Sequence, residues 1–217
     1  MAYKDRFEIE QELAEGISEA LQDDYYYLNM LEEPDEEFWE KERKALEKAI
    51  LPILIGVLYF GMETFVDSPS VPEINLDDIM SSAQDWARSY TYELVSGLTQ
   101  RSASALQAAF GDFFAGTIGE DALKEKIAYW FSPYRAETIA ITEVTRALEK
   151  AKEFVSDRIL VMFPELDKEE IWRTAQDERV CPICGPLEGT RRYTAWYDLP
   201  PIHPRGRCTV EIRFVRR

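Results

Sequence analysis

Histidine is almost missing from this chain, with one imidazole in 217 residues. A Ser/His/Asp triad would have to use that single ring, and no His-Glu-x-x-His pattern occurs. Cysteine is scarce as well. The three thiols are odd in number, which argues against a disulfide framework and for a reducing compartment. Positive charge is in short supply: 25 Lys and Arg stand against 41 Asp and Glu, a net charge of -16. That balance argues against adhesion of the whole protein to DNA or anionic lipid, so any such contact must be local. No glycine-rich phosphate loop, internal repeat or low-complexity segment is present. The sequence does not open on a basic region followed by an apolar run, so no secretory leader is expected. The apolar run from Ala49 to Phe60 holds only 12 residues, Pro52 among them. That is too short for the roughly 30 Å hydrocarbon layer of a bilayer, and it reads as a buried core helix with no membrane span.

What remains is a folding sequence. Apolar residues make up 46% and aromatics 12%, which excludes a disordered acidic tail, and the length allows one domain or two small ones. Charge is uneven: residues 1–50 carry 16 acidic and 6 basic side chains, residues 178–217 carry 4 and 8. Either the two ends meet different partners, or a soluble helical face precedes a small basic lobe.

Apolar residues recur at helical spacing over Ile9, Leu13, Ile17, Leu21, Tyr25 and Leu28. A second helix is expected to start at Pro34, with Asp35, Glu36 and Glu37 in its first turn. Its core face is Phe38, Leu46, Ile50, Ile53, Leu54, Val57 and Leu58, with a kink or break at Pro52. After a loop over Asp67 to Asn75 the stripe resumes at Ile79, Ala83, Trp86, Tyr90, Leu94 and Leu98. Thr117 and Glu120 suggest a capping box for a short helix ending near Phe131. Ser132 and Pro133 open a long helix through Ala136, Ala140, Val144, Ala147, Ala151, Phe154, Ile159 and Leu160, which Pro164 ends. Alternation from Cys208 to Val215 is that of a strand. The expected fold is mainly α, a helical body with a small C-terminal zinc-braced α+β lobe ending in a β-strand. Its parts are an acidic helical region over 1–97, a helical part over 98–164 and a cysteine/histidine lobe over 165–217.

All three cysteines and the one histidine fall within 28 residues: Cys181, Cys184, His203 and Cys208. Cys-Pro-Ile-Cys, eighteen residues, His, four residues, Cys is close to the spacing of structural zinc sites. A lobe of this size has too little apolar surface to offset its chain entropy, and structural zinc contributes about 10–16 kcal/mol in small domains. Two alternatives stay open, ordinary buried or free cysteines and a redox pair. The redox pair is opposed by Gly185 and Pro186, which follow the second thiol where a helix would be needed. Arg191, Arg192, Arg205, Arg207 and Arg213, interleaved with Tyr193, Trp196 and Tyr197, can grip nucleic-acid backbone or a partner; equally, the aromatics form a small core and the arginines keep it soluble. Arg135, Glu137, Glu143 and Arg146 form either a paired network or a solvated helix face. Tyr25, Tyr26 and Tyr27 suggest a protein interface, with core packing as the alternative for one of them.

Taken in order, Arg135 to Glu143 (Arg-Ala-Glu-Thr-Ile-Ala-Ile-Thr-Glu), Trp172-Arg-Thr174, Asp177 to Cys184, Leu187-Glu-Gly189, His203-Pro204 and Arg207-Cys208 resemble the phage head morphogenesis family, the Mu F-like minor capsid proteins. The resemblance covers about Leu98 to Ile212. Two departures stand out: Gly206 lies where the family often has a further cysteine, and the chain is short for the family. The resemblance implies a virion component near the portal vertex, acting in head assembly or genome delivery, and no catalysis. The partners it implies are portal, capsid or scaffolding protein, and it places the chain in the virion head, with host cytoplasm during assembly. The rival expectation is a zinc-containing nuclease or redox enzyme using the cysteine lobe, and a third is a zinc-braced adaptor on some other protein complex.

Overall fold

The computed structural model describes residues 5–28 and 33–217, with the side chains of 22–28 outside the description. The expected interface at Tyr25, Tyr26 and Tyr27 therefore lies outside the described side chains. Among the described residues the elements run α1 Arg6–Leu28, α2 Glu36–Val66, α3 Asp77–Phe114, α4 Glu120–Trp130 and α5 Pro133–Met162, then β1 Leu166–Arg173 and β2 Thr209–Arg216. The architecture is a mainly helical body with a small C-terminal lobe that ends in a strand.

Each helix forms where its apolar spacing and end signals coincide. Ile9, Leu13, Ile17 and Leu21 of α1 are all buried, one per turn. Burying each contributes about 1.5–3 kcal/mol. Helix α2 starts at Glu36, two residues later than expected, because Asp35 is its cap: the Asp35 carboxylate accepts the Phe38 N–H at 2.9 Å. Pro52 does not break α2, which runs on to Val66 with Pro52 on its exposed side. By length and composition α2 would reach across a bilayer, and a third of its most apolar window is buried. One face of the run is thus core, as expected for Phe38, Leu46, Ile50, Leu54, Val57 and Leu58.

Helix α3 buries Ala83, Ala87, Val95 and Leu98, so its core line drifts by one position from the expected Trp86, Tyr90 and Leu94, which are half-buried. The capping box does not form. Helix α4 starts at Glu120 with Gly119 at the cap and no side-chain cap, leaving Thr117 two residues too early. Ser132 does cap α5, its hydroxyl accepting the Arg135 N–H at 3.3 Å, and Pro133 takes the first helical position.

The chain divides into two compact units, neither of them a continuous segment. One gathers Arg6, Leu54–Asp85 and Ile141–Arg217; the other gathers Phe7–Ile53 and Trp86–Ala140. Helices α2, α3 and α5 each contribute to both. Position 97 falls inside α3, so no break in secondary structure marks the expected boundary there.

Within the first unit, α2 and α5 approach closely at two small residues. A Cβ placed on Gly61 would lie 2.8 Å from the Cβ of Ala151 and 3.3 Å from a Leu148 methyl. The same unit holds the two-stranded antiparallel sheet, with Leu166 opposite Arg216 at one end and Arg173 opposite Thr209 at the other. Strand β1 was not expected, because Leu-Asp-Lys-Glu-Glu-Ile-Trp-Arg lacks clean alternation.

Candidate metal centre

The sheet gathers the thiols at one end. Arg173 closes β1 and Thr209 opens β2 directly opposite it, so Cys208, one residue earlier, sits at that end. The chain leaving β1 turns through residues 174–180 into Cys181-Pro-Ile-Cys184 and then a single 3-10 turn, Gly185–Leu187. It returns along the other edge of β1: Gly189 N–H donates to Trp172 O and Trp172 N–H to Thr190 O, both at 2.9 Å. The knuckle is thereby tied down on both sides. Beneath it, Trp172, Trp196, Val210 and Ile212 form a small core with Cys184 and Cys208, the two indoles edge to face at 5.2 Å.

Three of the four expected ligands converge. The donor atoms of Cys181, Cys184 and His203 all lie within 4.8 Å of one another, and this group could hold a metal ion. His203 Nε2 is 3.1 Å from the sulfur of Cys181 and 3.1 Å from that of Cys184. Tetrahedral zinc distances of about 2.3 Å to sulfur and 2.0 Å to nitrogen set such donors about 3.5 Å apart. An opening of a few tenths of an ångström would suit an ion. The tautomer is already right: His203 Nδ1 faces the Pro204 carbonyl at 2.9 Å, which can only accept, so the proton sits on Nδ1 and Nε2 presents its lone pair to the thiols. Cys208 is buried beside Cys184 in the core cluster and lies outside the three-donor group.

The two knuckle thiols differ electrostatically. Burial opposes ionising Cys181, but the N–H groups of Cys184 and Ile183, the Cys184 thiol and the His203 ring outweigh it, and its pKa is lowered. Cys184 is pushed well up by burial, reinforced by its neighbours Cys181 and Cys208. Thiolate and imidazole donors suit a borderline-soft divalent ion.

Helix α5 positions the histidine loop through residues that the apolar pattern does not reveal. Thr142 accepts the Arg205 N–H at 2.9 Å, and Thr145 donates to the Gly206 carbonyl at 2.7 Å. One turn further on, the buried Glu149 accepts the Val210 N–H at 2.8 Å and pairs with Lys152 at 2.7 Å, which also reaches Val210 O. Together they hold the left-handed turn at Arg205 (φ 59°) that carries the chain from His203 to Cys208. A spacing of three, four and three residues puts these four polar groups on one helix face, the only sequence signal available.

Most of the candidate contact arginines are paired within the lobe: Arg191 with Glu169, Arg192 with Glu170, Arg207 with Asp177 and Arg213 with Glu211. Arg205 contributes its backbone to the α5 contact. The α5 charges are only in part a solvated face: Glu137 is exposed, the others are not. Glu143 is buried and pairs with Arg146 at 3.2 Å. Arg135 is buried in the other unit, where it donates to the carbonyls of Trp130 and Leu98 and stacks on the Trp130 ring. Burial lowers its pKa, and Glu42 opposes that shift. No family model, no curated protein and no solved structure matches this chain.

Proposed function

We propose that this chain is a structural minor head protein of a phage, acting at the portal vertex in head assembly or genome delivery. In this role a zinc ion braces its C-terminal lobe. The observation that carries the reading is the convergence of Cys181, Cys184 and His203 at the end of the sheet; Cys208, buried alongside Cys184, is the residue we assign as fourth ligand. The motif order that resembles the head morphogenesis family supports the same conclusion. With its three thiolates and one imidazole the ion is a structural cross-link. The sole imidazole lies among the thiols, so no second histidine remains as a general base.

Elemental analysis tests the ion, with about one zinc per chain expected. Cys184→Ser should abolish it and expose the last 40 residues to protease while most helical signal stays; unchanged protease resistance counts against the brace. Co-sedimentation with portal protein or proheads tests the role, and absence from every head intermediate refutes it.

One observation favours a redox enzyme instead: a partly exposed Cys181 precedes a buried Cys184 in the Cys-Pro-Ile-Cys knuckle. Catalysed reduction of a protein disulfide that is lost in Cys181→Ser would establish that alternative.

A further inference from the structure

Gly206 occupies a position where a side chain has no room, although its backbone does not call for glycine. Gly116 and Gly189 have positive φ; Gly206 does not. A Cβ there would come 2.9 Å from the Cβ of Pro201, 3.0 Å from the carbonyl oxygen of His203 and 3.5 Å from Cε1 of the same imidazole. The first contact is closer than side chains tolerate and the second requires the His203 carbonyl to give by a few tenths of an ångström; neither obstacle is the free end of a flexible group. The ring itself is at ordinary contact distance, but a shift of the His203 carbonyl carries the imidazole with it and moves Nε2 off the thiols.

Nor can Gly206 itself retreat. Its carbonyl accepts the Thr145 hydroxyl at 2.7 Å and its N–H donates to the His203 carbonyl at 3.2 Å, so α5 holds it against the loop. We infer that Gly206 is a positioning residue for the metal centre, its missing side chain allowing the His203 ring to lie with Nε2 on Cys181 and Cys184. This rests on the metal-binding reading above.

The single histidine makes the test unambiguous, because the imidazole nitrogen spectrum of the full chain contains one ring. Zinc is added to the metal-free protein while the His203 Nε2 resonance is followed by nitrogen NMR and thiolate binding by cobalt(II) absorption. The natural chain should show both a shifted Nε2 and thiolate-to-cobalt bands. If it shows neither, the metal reading fails and takes this inference with it. Gly206→Ala should keep thiolate bands, lose the Nε2 shift and bind about ten- to a hundredfold more weakly, the range seen when a ligand's supporting group is lost. Gly185→Ala is the control, since a Cβ there meets only Val180 at an ordinary 3.8 Å, and it should bind like the natural chain. Unchanged tryptophan fluorescence of the lobe in Gly206→Ala, from Trp172 and Trp196, separates displacement of the ring from simple unfolding. An unaltered Nε2 shift and affinity in Gly206→Ala overturns the inference with the metal site intact, as does loss of the lobe's folded tryptophan fluorescence in that variant, which would make Gly206 a requirement of the fold and not of the ring's position.

Discussion

Glu149 is the single carboxylate on which the start of β2 rests. Glu149→Ala leaves the Val210 N–H without its acceptor and removes the carboxylate that pairs with Lys152, whose ammonium keeps only Thr209 and the Val210 carbonyl. A loss of about 2–4 kcal/mol in lobe stability is expected, read from denaturant unfolding followed by the fluorescence of Trp172 and Trp196. The surface carboxylates act more weakly and with a definite pH sign. Hydrogen bonds from Arg207 to Asp177, from the Thr174 N–H and then Arg173 to Glu188, and from Arg213 and then Arg173 to Glu211 hold all three pKa values below their ordinary ones. Their contribution is therefore complete above the unfolded values of 3.8 for Asp and 4.5 for Glu, and fades as the pH falls below them. In the presence of a chelator, so that metal release plays no part, the tryptophan fluorescence of the lobe should change below about pH 4.5 in the natural chain. Arg173→Gln should move that change to higher pH. At this scale the grouping of Cys181, Cys184 and His203 is legible because Cys and His are rare enough to stand out. Thr142, Thr145, Glu149 and Lys152 are not, because polar residues on a helix ordinarily face water and only the three-dimensional path of the 205–210 segment gives them partners.

Helices with a strong one-face pattern were readable to within a residue or two, and the misreadings have local causes. Pro52 suggests a kink or break, and α2 continues through it without a break. Its ring costs about 3 kcal/mol in a helix interior, yet the apolar residues buried on either side of it keep α2 going. Pro52→Ala is expected to raise stability by about 1–3 kcal/mol, seen as a higher thermal midpoint with unchanged helical signal. The Thr117 cap was read from residue types at the right spacing, but the helix begins later. Strand β1 was hidden because Lys168, Glu169 and Glu170 look solvated in sequence. In the fold Glu170 is buried against Arg192, and Lys168 lies across Asp157 and Glu170. Charge pairing between segments far apart in the chain cannot be seen in a local window.

At the scale of the whole molecule, the sequence suggested three successive regions, whereas the compact units interleave segments joined by long helices. Interleaving is invisible to composition because a continuous helix carries no signal of where it passes from one unit to another. The lobe also leans on α5 and on its own tryptophan pair, so an ion held by the thiols would be one of several restraints on it and not the sole one. Within the unit that carries the lobe, Gly61 and Ala151 set how near α2 and α5 can come. Gly61→Ala should cost about 1–3 kcal/mol, and Ala151→Gly in the same chain should recover part of it, as a double-mutant cycle by chemical denaturation would show. The seam therefore has a fixed total width: a methyl gained on one helix must be given up on the other, and sequence drift along it can proceed only by reciprocal exchange.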